Sequence, residues 1–138
     1  MSDNDTRSAG AVDRFGFQHD QIVVEYGHDD DVSEMFRERV ATVIGASFEP
    51  DDYTGIVDAV LLWWRDGDGD LTDELVDCLA LLEDGGFIVL VTPGAGRPDR
   101  VAAHDVQEAC ATAGLTASGV IPIGEGGAWH AQRLVGRR

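Results

Sequence analysis

Three aspartates at alternating positions have the clearest potential chemistry in this chain. Asp66, Asp68 and Asp70 lie in an Asp-Gly-Asp-Gly-Asp segment, and Asp77 stands eleven residues after the first of them. Carboxylates at positions 1, 3, 5 and 12 of a loop are the hard oxygen ligands that calcium prefers, although Leu71 occupies the sixth position, where such loops carry glycine. The alternative is a solvated turn in which Asp70 caps the next helix. The segment therefore predicts either a calcium or magnesium site at the first three aspartates or a helix-capping turn.

Polar residues also follow three predicted strands. The carboxyl ends of parallel strands meet at one edge of a sheet, and open α/β sheets bind ligands at that edge. Arg65 could hold a carboxylate or phosphate there, or could pair with neighbouring aspartates. His28 could exchange a proton near neutral pH, or could pair with the acids beside it as a surface residue. We therefore predict a ligand site formed by the residues just beyond the strands: Gly27, His28, Trp64, Arg65, Asp66, Thr92 and Pro93.

Two apolar segments predict the centre of the fold that would position these residues. Residues 58–64 and 87–91 lack polar alternation, so both faces of each strand should be covered. Residues 71–83 repeat apolar side chains at helical spacing, and the glycine pair at 85–86 is expected to end that helix. Two such strands joined by a helix form a parallel, right-handed βαβ unit. We expect the two strands to be adjacent and central.

The segment before this unit predicts one more strand and one more helix. The strand is expected at residues 21–26. The acids at 29–31 are expected to cap the following helix, and Gly45 to end it. Residues 46–49 are compatible with a brief edge strand.

The segment after the unit predicts the end of the domain. A helix is expected at about 102–113, then strands at 115–123 and 129–135 that form a C-terminal antiparallel hairpin. Pro122, near the end of the first of these strands, indicates a sheet edge or a bulge. The polar segment 1–14 predicts a flexible tail. The remaining 15–138 should form a single three-layer α/β domain with a mainly parallel sheet.

Composition limits the classes of partner. The chain has 138 residues with 26 acidic and 10 basic side chains, which gives a net charge of −16. Such a surface repels phosphate backbones and anionic lipids, so we expect no nucleic-acid or membrane partner. Cys78 and Cys110 lie among apolar residues on predicted helices, which indicates buried thiols in a reducing compartment. With no basic and apolar leader and no long apolar stretch, a cytoplasmic location is expected.

The order of elements from residue 58 resembles the second half of the class I S-adenosylmethionine-dependent methyltransferase fold. Residues 58–64 resemble its fourth strand, and residues 81–91 resemble the double-glycine start of its fifth strand. The resemblance implies a Rossmann-like sheet, truncated here because few residues separate Gly45 from the strand at 58–64. Cofactor-binding members carry a glycine-rich turn after the first strand. This chain has Glu-Tyr-Gly-His-Asp at 25–29 instead, so the resemblance implies a fold that lacks this cofactor-binding turn.

Taken whole, the sequence is similar to a family of small actinobacterial proteins of unknown function. The matching segments are residues 26–31, 61–71 and 92–93. They cover nearly the whole chain, but the family implies no activity.

Three functions therefore remain open. The first is a non-catalytic binding or regulatory module without a cofactor, which takes a protein or small anionic ligand at the carboxyl edge of the sheet. The second is an S-adenosylmethionine-dependent methyltransferase with an atypical first loop. The third is a divalent-cation-binding protein that uses the aspartate turn. No serine-histidine-acid or cysteine-histidine arrangement predicts catalytic residues, which favours the first.

Overall fold

A twisted sheet with helices on both faces forms the domain in the computed structural model, which describes residue 12 and residues 14–136. Within these residues the sheet has six strands in the order β1-β2-β3-β6-β4, and β5 also pairs with β6. The elements are β1 (Val23–Tyr26), α1 (Glu34–Ile44), β2 (Val57–Trp63), α2 (Leu71–Leu81), β3 (Leu82–Pro93), α3 (Ala103–Ala113), β4 (Leu115–Ala117), β5 (Ile121–Ile123) and β6 (Trp129–Gly136).

The predicted central unit is confirmed. β2 and β3 are adjacent and parallel, and their register runs from Ala59 opposite Phe87 to Trp63 opposite Val91. β1 adds a third parallel strand beside β2. β6 runs antiparallel to β3 and to both short strands, which gives the expected antiparallel C-terminal region. The apolar runs of β2 and β3 are buried because helices cover both faces of the sheet.

The two faces of the sheet carry separate hydrophobic cores. α1 covers one face through Phe36 and Val40, and α2 and α3 cover the other through Leu75 and Val106. The adjacent Trp63 and Trp64 point to opposite faces, as strand geometry requires, and each belongs to a different core. The three-layer α/β class predicted from the sequence is confirmed.

The ends of two helices differ from the prediction. α1 is capped by Ser33, whose hydroxyl accepts the Phe36 N–H, and not by the acids at 29–31. α2 ends at Leu81 instead of continuing to residue 83, because Leu82 becomes extended and pairs with Val57. The glycine pair at 85–86 therefore lies in an irregular stretch of β3, and does not end the helix. By contrast, Gly45 ends α1 as expected, with a φ of 77°.

The predicted strands at 115–123 and 46–49 are also corrected. The first is divided into β4 and β5, because three residues (118–120) lie between Ala117 and Ile121 while only two lie between their partners on β6. This bulge bends the chain at the sheet edge, where Pro122 needs no N–H donor. The second is reduced to a single parallel bridge between Glu49 and Val24.

The N-terminal region is described only in part. Residues 1–11 and 13 of the predicted tail lie outside the described residues. Val12 belongs to the predicted tail, yet it is 1% exposed and packs in the α1-side core. Among the described residues, none of the helices combines the length and the apolar character needed to cross a bilayer.

Candidate functional site

The carboxyl ends of β1, β2 and β3 meet at one edge of the sheet, where the sequence predicts the ligand site. The antiparallel β6 starts at the same edge, because its first residue, Trp129, pairs with Pro93 at the end of β3. Four connecting segments therefore converge there: 27–33, 64–70, 94–102 and 124–128.

Two arginines hold one aspartate at this edge. The Asp31 carboxylate accepts hydrogen bonds from Arg65 Nε at 2.9 Å and Arg65 Nη2 at 2.6 Å, and from Arg97 Nη2 at 3.1 Å. Both guanidinium groups stack on the Trp129 ring, with their central carbons 5.2 and 4.4 Å from its centroid. The indole N–H of Trp129 donates to the Asp31 carbonyl at 3.2 Å. We name Asp31, Arg65, Arg97 and Trp129 the rim cluster.

The rim cluster ties the first connecting segment to the end of β2. Arg65 Nη1 donates to the Gly27 carbonyl at 3.0 Å. A Cβ atom at Gly27 would lie only 2.1 Å from the Trp63 carbonyl oxygen, and the φ of Gly27 is +78°. Only glycine permits this close approach of two backbones. The gap between the ends of β1 and β2 is therefore closed by the chain itself.

Charge pairing sets the ionisation of the rim cluster. The hydrogen bonds from Arg65, and secondarily the one from Arg97, lower the pKa of Asp31 to about 2, although partial burial acts in the opposite direction. The same pairing raises the pKa of Arg65. Asp31 is therefore ionised near neutral pH and cannot serve as a proton donor there. Its chemistry is that of a fixed counter-ion.

A second ion pair, with a buried carboxylate, lies on the α1 face. The Glu25 carboxylate accepts from Arg37 Nε and Nη2, each at 2.7 Å, and from the Trp63 indole N–H at 2.9 Å. The side chain of Glu25 is only 7% exposed. These hydrogen bonds raise the pKa of Arg37. With three donors on its two oxygens, the buried carboxylate is satisfied, as a charge in a core must be.

The predicted site residues share one edge but open onto different clefts. Gly27 and His28 line a cleft of about 390 Å³ beside residues 47–51. Trp64 and Asp66 line a cleft of about 490 Å³ between α2 and α3. Thr92 and Pro93 line a smaller pocket of about 210 Å³ under α3, and Arg65 lies in the rim cluster.

Comparison with known proteins assigns the family. The model of a family described as "Protein of unknown function (DUF3052)" matches residues 12–138. The chain belongs to the DUF3052 family. Uncharacterized proteins of Mycobacterium tuberculosis and Mycobacterium bovis are 39% identical to it over 122 residues, which cover 88% of this chain and 75% of theirs. The predicted resemblance to an actinobacterial family of unknown function is confirmed.

The DUF3052 fold is similar to that of methyltransferases. The precorrin-6y C5,15-methyltransferase of Geobacter metallireducens superposes with a TM-score of 0.62 at 11% identity, covering 94% of this chain and 86% of that one. The O-methyltransferase NcsB1 of neocarzinostatin biosynthesis superposes with a TM-score of 0.62 at 13% identity, covering 96% of this chain and 54% of NcsB1. At such low identity the likeness concerns the fold alone.

The aspartate turn of this DUF3052 chain has local structural roles. Asp70 caps α2 by accepting the Asp73 N–H, and Asp68 accepts the Arg65 N–H at 3.0 Å. Asp66 instead donates its N–H to the Asp99 carbonyl. The helix-capping interpretation of Asp70 is therefore confirmed. Asp66, Asp68 and Asp70 do not form a group whose ligand atoms all lie within 4.8 Å of one another. Among the described residues, a compact group of possible metal ligands is His104, Asp105 and Glu108, all of them exposed.

Histidine and cysteine chemistry at this edge is limited. His28 Nε2 lies 3.5 Å from Glu34 Oε2, so the histidine pairs with an acid of α1 and not with the aspartates at 29–31. Its side chain is about half exposed. Both cysteines are buried free thiols on helices, as predicted. Burial raises the pKa of Cys78 to about 12 and also raises that of Cys110, so neither is a thiolate nucleophile near neutral pH.

Sequence reasoning missed three members of the rim cluster. Asp31 was assigned to a helix cap, and Arg97 and Trp129 were not singled out. Arg97 follows β3 just as Arg65 follows β2, so the same position argument could have found it. Trp129 begins an antiparallel strand, and no rule about the carboxyl ends of parallel strands points to it.

Proposed function

We propose that this DUF3052 protein is a non-catalytic binding or regulatory module on a methyltransferase-like fold. Its ligand is a small anionic molecule or a protein partner at the carboxyl edge of the sheet. The observation that supports this proposal is the rim cluster, which links the segment after β1 to the end of β2 with side chains of the protein itself.

The first connecting segment supplies the physical argument. In the methyltransferases that the sequence resembles, glycines after the first strand let the backbone approach the cofactor. Here Gly27 lets the backbone approach the Trp63 carbonyl, and Arg65 bonds the Gly27 carbonyl. A molecule entering this space would have to separate Asp31 from two guanidinium groups. Each 1.4 kcal/mol lost in that separation weakens binding about tenfold.

The competing function is an S-adenosylmethionine-dependent methyltransferase with an atypical first loop. The fold similarity to methyltransferases, with TM-scores of 0.62, favours it. Isothermal titration calorimetry with S-adenosylmethionine and S-adenosylhomocysteine separates the two functions. The O-methyltransferase NcsB1, whose structure contains S-adenosylhomocysteine, is the positive control. We expect no binding by this protein, and micromolar affinity for either compound would make the enzyme the better proposal.

The charge of the chain supports a choice among partners. A net charge of −16 opposes binding to nucleic acids and anionic membranes, and favours binding to cationic protein surfaces. A small anion would bind only where an arginine has no carboxylate partner. The two free buried thiols support a cytoplasmic setting.

A further inference from the structure

The pocket of about 210 Å³ under α3 has a polar floor built by the sheet. Thr92 on β3 pairs with His130 on β6, and Gln132 lies two residues further along β6 on the same face. Thr92 is 5% exposed and Gln132 is 8% exposed. All three residues line the pocket.

The two buried side chains of this floor have unused hydrogen-bonding capacity. Neither the Thr92 hydroxyl nor the Gln132 amide bonds to any described residue, and neither side chain has an atom that is both fully enclosed and unpaired. Their polar atoms therefore open onto the pocket. An unpaired hydroxyl and an unpaired amide that open onto one cavity can both donate and accept hydrogen bonds to a molecule that enters it.

The charge of the pocket differs from that of the rest of the surface. The two clefts of about 490 and 390 Å³ described above each contain at least two carboxylates. A third cleft, of about 460 Å³ at the end of α2, contains those of Glu83 and Asp84. This pocket contains none, and it is lined by Arg100 and His130. Arg100 forms no ion pair with a described residue. In a chain with a net charge of −16, an unpaired arginine at a pocket without carboxylates selects for an anion.

The start of α3 adds a second attraction for an anion. Its N-cap residue is Ala102, which makes no side-chain capping bond, and the N–H of Ala103 has no acceptor among the described residues. Ala103 lines the pocket. Free N–H groups and the helix dipole favour negative charge at this end of an eleven-residue helix.

We propose that this pocket binds a small organic carboxylate. The carboxylate lies between Arg100 and the first N–H groups of α3, Thr92 and Gln132 bond a neutral polar group, and Val106 and Val120 contact the apolar part. The volume is below the roughly 300–1,000 Å³ of pockets for drug-sized ligands, so the ligand is small. This inference rests on the proposed binding function and names its ligand class.

The test is an NMR titration of the ¹⁵N-labelled full chain with isobutyrate, benzoate and 4-hydroxybenzoate. The uncharged isobutyramide and benzamide, and inorganic phosphate, are the comparison probes. We expect the carboxylates to shift the amide signals of Thr92, Ala103 and Gln132, and the amides to bind at least about tenfold more weakly, because a charge-assisted bond is lost.

Two variants and one control variant connect this binding to the pocket. Arg100→Gln should weaken the binding of the carboxylates about tenfold. Arg14→Gln makes the same charge change at an exposed arginine without a described partner and should leave binding unchanged. Gln132→Leu should remove the extra affinity of 4-hydroxybenzoate over benzoate, because the amide that bonds the neutral hydroxyl is gone. Its denaturation midpoint should not fall, because an unpaired amide is replaced by an apolar group of similar size.

Several results would overturn the inference. These are an absence of shifts at the pocket with millimolar carboxylate, equal effects of Arg100→Gln and Arg14→Gln, or tighter binding of phosphate than of the carboxylates. Carboxylate binding at another part of the carboxyl edge would also overturn it, but would leave the proposed function standing. Micromolar binding of S-adenosylmethionine would overturn the proposed function itself, so the two failures are distinguishable.

Discussion

Replacing Asp31 with asparagine should destabilise the protein by about 1–2 kcal/mol near neutral pH. The two arginines lower the pKa of Asp31 from 3.8 to about 2. That difference corresponds to roughly 2 to 3 kcal/mol, because one pKa unit equals about 1.4 kcal/mol. The Asp31 side chain is 33% exposed, so water and salt screen the pairs and reduce the effect. Urea denaturation of the variant and of the wild type measures the difference in free energy of unfolding.

The pH dependence of this difference tests its electrostatic origin. The pKa of Asp31 is lower in the folded state, so its stabilising effect is complete above about pH 4 and is lost as the pH falls toward 2. At about pH 3 the destabilisation by Asp31→Asn should be roughly half of its neutral value. The matched control is Asp30→Asn, because Asp30 is exposed and its side chain bonds to no described residue. This control should leave stability unchanged or slightly increased.

The reasoning would be refuted if Asp31→Asn were no less stable than Asp30→Asn. It would also fail if the destabilisation stayed the same between neutral pH and about pH 3, because a charge-independent packing effect would then explain it.

Two further predictions concern the backbone and the surface charge. Gly27→Ala should lower the free energy of unfolding, measured by urea denaturation, by more than about 2 kcal/mol, because the added methyl group clashes with the Trp63 carbonyl. Gly67→Ala should lower it by only about 1 kcal/mol, since its φ of +94° is strained for alanine but its surroundings are open. Equal losses in the two variants would contradict the close approach of the backbones at Gly27. The melting temperature should rise by a few degrees between dilute buffer and about 0.5 M salt, because salt screens repulsion among 26 acidic side chains; a flat or falling curve would mean that ion pairs already balance them.

Much of the fold was predictable because its signals are local or repetitive. The apolar runs at 58–64 and 87–91 predicted buried neighbouring strands, since a strand without polar alternation must be covered on both faces. Gly45 ends α1 in the left-handed conformation that glycine adopts without strain, and Asp70 caps α2. Each of these features depends on residues within a few positions of one another.

Where the prediction failed, a tertiary contact overrode a local preference. Residues 82 and 83 continue the helical spacing of apolar residues, yet Leu82 pairs with Val57 and starts a strand. The segment 115–123 is predicted as one strand with an edge or a bulge near Pro122, but an extra residue relative to β6 divides it at 118–120. Aspartate often caps helices, which favoured Asp31 as the cap of α1, but Ser33 occupies the N-cap position.

The sequence by itself predicted strands that end at Tyr26, Trp64 and Val91 and carboxyl ends that meet at one edge. In the structure these strands end at Tyr26, Trp63 and Pro93. Which side chains meet there was decided by the tertiary structure. Asp31 is 34 residues from Arg65 and 66 from Arg97, and its backbone bonds a tryptophan 98 residues away. Helix and strand signals act between near neighbours along the chain, whereas an ion pair depends on distance in space. Only the folded sheet brings these groups within hydrogen-bonding distance, and leaves Thr92 and Gln132 open beneath α3.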